Sequence, residues 1–461
     1  MSKPPSDFNW EKYPDVEKFL LRMIKEYIDD FPEVKMVQTI LKNQTSTRLF
    51  DWIDHLVVNG NGEFLGRLKN MGFIHYKQPV EKGKKVFVHP RTIFPRLVVI
   101  PSKKWSQGKV TAMAIGIENI SVFLNAFSIY ADIEGSPLSP YREALVWQNR
   151  EKKFLVVERR AYQGFLPQIM PRNYVHHYLQ MYQKWFNRPR FYLDPMKGVE
   201  KTLKLAKQLV SEIGVDTAAW LAFAAEREYW LIRNRAGQIQ KRRQDKFGLG
   251  WANHDHHTFR NSRQTFNVLL QILKTFGFQM REKFYAGKQA GWGAQVLEQP
   301  VCNLVVFADV DLSPEELELN FLKRTLPTRS QKGTVGLWCA LHGESILDAG
   351  LHHLAARFNF AHVEHRLREE KVLLLPPFSQ FSYLQQAFTH GEKWKVDPQR
   401  IKQLRKTGII KPQQANVFMK EGAIGSHLEN IQRDQGFKGF NQESVSDIIH
   451  RTDPRINFGA A

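Results

Sequence analysis

Two pairs of adjacent histidines and one glutamate are the residues of this chain with the most direct chemical meaning. The pairs are His256-His257, preceded by Asp255, and His352-His353; the glutamate is Glu429 in the run His427-Leu428-Glu429-Asn430-Ile431-Gln432-Arg433-Asp434-Gln435-Gly436-Phe437. Two neutral imidazoles and one carboxylate on a single metal leave half of an octahedron open. That donor set suits Fe(II), which can then take a chelating substrate and O2 side by side. Side chains alternate across a strand, so only one histidine of each pair can face such a centre. Glu298 and Asp309 are competing carboxylates, but both lie in the same stretch as the first histidine pair.

The elements that must position these residues follow from periodicity. A short strand is expected at Asp255 to Phe259, then a helix at Ser262 to Phe276 with Phe266, Leu269, Leu270, Leu273 and Phe276 on one face and a stop at Gly277. Strands at Glu282 to Tyr285, Gly293 to Leu297 and Asn303 to Val310 follow, separated by Gly287, Gly291 and Pro300. The order is βαβββ. A second run of this kind starts at Leu351 to Phe358 and continues through Lys371 to Leu375 and inserted helices. It closes with strands near Ala415 to Phe418 and Ser426 to Gln432. Two such modules predict one cupped mixed sheet with the metal at its centre.

Upstream, Val16, Phe19, Leu20, Met23, Ile24 and Ile28 recur at helical spacing. Strands are expected at Ile53 to Val58, Lys85 to Phe87 and Leu97 to Ile100, with a turn at Asn59 to Gly62 and a short helix at Glu63 to Lys69. The fold class is therefore α+β, in two lobes joined by helices. The divisions are a helical region over residues 1–44, a first lobe over 45–198, a basic helical bridge over 199–246, and a lobe with the metal site over 247–461.

Composition narrows the function classes. Hydrophobic residues make up 43% and charged residues 24% of the 461, as expected of a globular protein with real cores. Met1 to Asp30 holds no uninterrupted apolar run, so neither a leader nor a spanning helix is expected; the expectation is a cytoplasmic protein with no membrane partner. Cys302 and Cys339 sit in apolar runs and are expected to be buried reduced thiols. The formal charge of +20 raises nucleic-acid binding as an alternative. Its clusters, Arg233 to Lys246 and Lys152 to Arg160, lack a zinc-finger, RNA-recognition or helix-turn-helix signature, so a solvated face or attraction of an anionic substrate is the better account. The glycine-rich run Tyr285 to Gly293 lacks phosphate-loop spacing, and Leu341-His342-Gly343-Glu344-Ser345 lacks the Gly-x-Ser-x-Gly of a hydrolase elbow.

The motifs Asp255-His256, His352-His353-Leu354-Ala355, and Leu428-Glu429-Asn430-Ile431-Gln432-Arg433 with Gly436-Phe437 resemble the vicinal-oxygen-chelate metalloenzymes. The similarity is greatest to the 4-hydroxyphenylpyruvate dioxygenases. Arg260, four residues after the first ligand, stands where that family has Asn and instead resembles the 2-oxoadipate dioxygenase/decarboxylase family. The resemblance implies His256, His353 and Glu429 as ligands of Fe(II), with Mn(II) or Zn(II) as alternatives. It implies O2 as co-substrate and a small anionic 2-oxo acid that is decarboxylated and hydroxylated. It further implies Arg260 as a carboxylate clamp, Gln414 as a hydrogen-bond donor 15 residues before Glu429, and Phe418, Phe437 and Phe440 as a dry wall. Gly439-Phe440-Asn441 departs from the family's Gly-Asn-Phe order.

The first lobe echoes these motifs in Ile53-Asp54-His55-Leu56-Val57 and in Phe154 to Arg160 followed by Gln163-Gly164-Phe165. This implies a duplicated lobe that has lost its metal, with His55 and Glu158 lacking a third ligand, and a remaining role in supporting the fold or an assembly interface such as that of a homodimer. Other chemistries of the same superfamily, isomerase, lyase or extradiol cleavage, are the alternatives within enzymes. A nucleic-acid-binding protein with a vestigial triad is the alternative outside them.

Overall fold

Strand formation in the second half follows the alternation of its side chains. The computed structural model describes residues 10–102, 108–286, 291–441 and 453. Seven strands make the first sheet: β1 (Ile53–Gly60), β2 (Ile74–His75), β3 (Lys85–Val88), β4 (Arg96–Pro101), β5 (Val110–Gly116), β6 (Tyr141–Asn149) and β7 (Lys152–Arg159). Nine make the second: β8 (His254–Arg260), β9 (Gln279–Ala286), β10 (Trp292–Gln299), β11 (Leu304–Asp311), β12 (His353–Arg357), β13 (Ser379–Phe381), β14 (Leu384–Phe388), β15 (Glu392–Trp394) and β16 (Ala423–Arg433). Helices α1 (Pro14–Asp29) and α2 (Pro32–Ile40) pack on the first sheet, whose β1 and β5 are followed by α3 (Gly62–Asn70) and α4 (Ile120–Ala126). Between the sheets run α5 (Tyr174–Phe186), α6 (Pro195–Ile213), α7 (Val215–Leu231) and α8 (Arg235–Asp245). The second half adds α9 (Phe266–Thr275), α10 (Thr334–His342), α11 (Phe360–Glu369), α12 (Pro398–Lys406) and α13 (Pro412–Glu421). Among the described residues no helix is long and apolar enough to cross a membrane.

The expected βαβββ order is present from β8 to β11, and the turn expected at Asn59 to Gly62 is instead the end of β1 and the start of α3, capped by Asn61. Gly287 lies outside the described residues. In the second module the expected strand at Ala415 to Phe418 is helical, within α13. Pro412 occupies the first helical turn, where a missing N–H costs nothing, and Gln414 caps the turn by accepting from the Lys411 backbone N–H at 2.7 Å. The strand beside β16 is β14, paired so that Phe388 lies opposite Glu429. Lys371 to Leu375 contributes only a bridge from Leu374 to Thr389.

The two sheets share one topology. Their orders are β2-β3-β4-β1-β5-β7-β6 and β13-β14-β16-β12-β8-β11-β10-β9, with β15 paired to β16. In each, the opening strand is parallel to the last strand of its own module and antiparallel to the next module's first strand, which is parallel to the closing strand. Register then assigns equivalent positions. His256 lies opposite Ala355, itself opposite Glu429; in the first sheet His55 lies opposite Ala114, itself opposite Leu155. Thr258 lies opposite His353 as Val57 lies opposite Ala112. The first lobe therefore carries His55, Ala112 and Leu155 where the second carries His256, His353 and Glu429. Glu158 is not the counterpart of Glu429: it pairs with Arg142 and Arg160 and accepts from the Ile120 N–H that opens α4.

One further feature is repeated. Arg433 grips Asp255 through Nε and Nη2 at 2.8 and 2.9 Å, and Arg159 grips Asp54 through the same nitrogens at 2.7 and 2.9 Å. Each arginine also donates Nη1 to a glycine carbonyl of the following loop, Gly439 or Gly164, at 2.6 Å. These latches tie the first strand of each lobe to its last. Removing one partner of a buried pair strands the other charge, so Arg159→Met is expected to lower unfolding free energy by about 3 kcal/mol or more. Denaturant titration checks this, and a loss under about 0.5 kcal/mol, the level of an ordinary surface change, would contradict it.

Candidate metal centre

Alternation along three adjacent strands builds the site. On β8, His256, Thr258 and Arg260 face a cup, while Phe259 packs in the helical core and His257 is bonded to Arg227 of α7 at 3.2 Å. On β12, His353 faces the cup while Leu354 and Ala356 join that core; on β16, His427 and Glu429 face it while Leu428 does not. Of each histidine pair, the structure thus turns His256 and His353 toward Glu429.

The Glu429 Oε2 atom lies 3.1 Å from His256 Nε2 and 3.2 Å from His353 Nε2. One ligand atom from each of the three side chains lies within 4.8 Å of the others, and all three residues are buried. Gln386 on β14 donates Nε2 to Glu429 Oε1 at 2.7 Å, leaving Oε2 toward the imidazoles. Asp255 accepts from His256 Nδ1 at 3.0 Å and is itself held by Arg433. A proton fixed on Nδ1 leaves the Nε2 lone pair of His256 facing a carboxylate lone pair. Only a cation between them, a second proton or a metal, makes that contact favourable. Without metal the proton is the answer. Burial opposes charge on His256, but Glu429 and Asp255 prevail and raise it to about 9. Burial likewise opposes ionisation of Glu429 and Asp255, yet His256 holds the first, and Arg433 the second, below the usual carboxylate range. His353 is lowered by burial, so a single proton serves the pair; its Nε2 lies 2.7 Å from Thr258 Oγ1. The donor set and its outer partners fit a divalent cation.

The cup is small, ≈ 60 Å³, and mostly aromatic, with Phe307, Phe388 and Phe440 near the three donors. The Phe440 ring lies 5.5 Å from that of His256 and 4.4 Å from that of Phe307. Arg260 enters from one side. Its Nε is 3.8 Å from Asp309 Oδ2, beyond hydrogen-bond reach, and has no hydrogen-bond partner among the described residues. Burial lifts Asp309 to about 8 against the pull of Arg260.

Three sequence-selected residues lie elsewhere. Gln414 caps α13, Phe418 packs with Leu337, Leu341 and Leu404, and Phe437 packs against Tyr383 at 4.8 Å beside Trp10, Leu384 and Ile431. All three follow from reading α13 as a strand or from assuming that consecutive aromatic positions share one wall. Gln386 and Asp309 are two of the polar residues that sequence reasoning did not assign to the site; Thr258, His352 and His427 also line it. The alternation in Leu384-Gln385-Gln386-Ala387-Phe388 was the available signal for the first. Several cations of the basic runs are structural: Arg233 donates to the carbonyl of Asp348 at 2.9 Å, Arg243 to that of Gln44 at 2.9 Å, and Arg159 and Arg160 pair with Asp54 and Glu158. Both cysteines are free and buried.

No family model and no curated protein matches the chain. Solved structures similar to it include a triple variant of 4-hydroxymandelate synthase from Streptomyces coelicolor, at 11% identity and TM-score 0.26 over 89% of this chain and 98% of that one. Methylmalonyl-CoA epimerase from Mycobacterium tuberculosis is similar at 12% identity and TM-score 0.23 over 40% and 88%. The 2,3-dioxygenase LapB from Pseudomonas sp. KL28 is similar at 9% identity and TM-score 0.19 over 83% and 91%. The paired-module arrangement of each sheet is read from the strand order and register given above.

A raised histidine stabilises the folded state below its unfolded pKa and loses that contribution as pH climbs through the folded value. For His256 the window runs from the ordinary 6.5 to about 9. In the presence of a chelator, the midpoint of thermal unfolding is therefore expected to fall across that window, and Glu429→Gln is expected to flatten the fall. A wild-type midpoint that stays level or rises there would contradict the proton-bridged pair.

Proposed function

We propose that this chain is a dioxygenase that uses Fe(II) and O2 to decarboxylate a small anionic 2-oxo acid and hydroxylate what remains. The observation that carries this reading is a three-donor cluster sharing one small cup with a buried arginine whose Nε has no hydrogen-bond partner among the described residues. His256 and His353 would hold the metal through Nε2, and Glu429 through Oε2. When bound, Fe(II) supplies open positions for the 2-oxo acid and O2 together with the electrons that activate O2.

The chain's own groups do the rest. Arg260 binds the substrate's distal carboxylate with its planar pair of donors and so fixes which carbon faces the centre. Asp309, whose ionisation burial opposes, stands beside Arg260 on the same wall of the cup. Gln386 keeps Glu429 turned inward, and Asp255 keeps the His256 proton on Nδ1. Phe307, Phe388 and Phe440 exclude water from reactive species. The smallness of the cup and the single guanidinium favour a compact dicarboxylic 2-oxo acid over an aromatic one.

Anaerobically purified protein, tested in an oxygen electrode with dicarboxylic and aromatic 2-oxo acids, checks the reading. O2 uptake that requires ferrous ion and matches CO2 release is the expected result; turnover without O2 would overturn it. Arg260→Met is expected to raise KM for the dicarboxylic substrate about ten- to hundredfold, the worth of a charge-assisted hydrogen bond. Steady-state kinetics showing KM unchanged would remove Arg260 from substrate binding.

A further inference from the structure

Behind β8, on the side away from the cup, a second cavity of ≈ 350 Å³ opens between the first lobe and α7. Its size is that of a small-molecule site. Arg227 of α7 lines it and is only 3% exposed. Two other buried arginines, Arg188 and Arg190, share the carboxylate of Glu226, the residue before Arg227. Arg227 has no such partner. Among the described residues no carboxylate lies within 4.0 Å of it, and its one hydrogen bond goes from Nη1 to His257 Nε2 at 3.2 Å. Glu118 on the opposite wall is the counter-charge acting at longer range. The other acids of the lining are taken: Asp54 by Arg96 and Arg159, Glu158 by Arg142 and Arg160.

His254 borders the same cavity, its ring held by a 2.8 Å bond from Nδ1 to the Trp251 carbonyl and by the backbone of Asn303. Aromatic faces complete the walls. The Arg227 guanidinium lies 5.4 Å from the Trp220 ring, Trp220 lies 6.3 Å from the His254 ring, and Tyr178 and Tyr182 close the side toward α5. A buried guanidinium with a single hydrogen bond and no carboxylate in contact has donors to spare, and an anionic ligand would meet them.

We propose that this cavity binds a small aromatic carboxylate. The carboxylate meets Arg227, and the ring lies among Trp220, Tyr178 and Tyr182. This site is separate from the metal centre. The two lie on opposite faces of β8, which sends His256 to one and is tied to Arg227 through His257 at the other.

Calorimetric titration of the full chain with 3-hydroxybenzoate, benzoate and inorganic phosphate tests the site. The expected result is saturable one-to-one binding of 3-hydroxybenzoate that persists in Arg260→Met and weakens on the order of tenfold or more in Arg227→Met. Absence of saturable binding, equal affinity in Arg227→Met, or loss in Arg260→Met instead would overturn it. So would phosphate binding as tightly as the aromatic acids, since the aromatic walls would then contribute nothing. Should Arg227→Met fail to fold, Trp220→Ala provides the second arm. It is expected to weaken 3-hydroxybenzoate and benzoate alike while leaving phosphate unchanged, and unchanged affinity for both acids would count against the site.

Discussion

A carboxylate sealed from water has to be met by positive charge, and in this fold that requirement falls on Glu429. Its burial alone costs several kcal/mol. Three strands that are far apart in the chain, β8, β12 and β16, lie side by side, so that His256 and His353 meet the same carboxylate oxygen. The outer contacts serve the same end: Gln386 occupies the other oxygen, and the Asp255 latch fixes the His256 proton. A charge arrangement of this kind is stable only when a cation completes it. The chemistry and the register of the second sheet are therefore one problem.

The first lobe shows what the frame looks like without that charge. It keeps the strand order, the Asp54-His55 pair and the Arg159 latch, yet Ala112 and Leu155 stand where an imidazole and a carboxylate stand in the second lobe. The Asp–Arg latch is thus separable from metal binding. It fastens the closing strand of each lobe to its opening strand and leaves the adjacent histidine oriented, whether or not that histidine has a ligand to hold.

Much of this was legible because it is encoded within short segments. Asp255-His256 and Leu428-Glu429 each announce a strand with a polar residue at an inward position, and the Leu269, Leu270 and Leu273 stripe announces the helix between strands. What failed was pairing over longer range. Counting back from Glu429 points to Gln414, but the residue beside Glu429 is set by which strand joins β16, and that strand is β14, about 40 residues away in the chain. Glu158 matches Glu429 in type, whereas register makes Leu155 the counterpart. Asp309 gave no signal because its meaning comes from burial beside Arg260, which no local pattern announces.

Ferrous ion added anaerobically to metal-free protein, followed by X-ray absorption at the iron edge, tests the central claim most directly. The account predicts one iron per chain with two imidazoles in its coordination shell, falling to one in His353→Ala and losing tight binding in Glu429→Ala. Iron bound with equal affinity in Glu429→Ala, or with no imidazole in its shell, would contradict it.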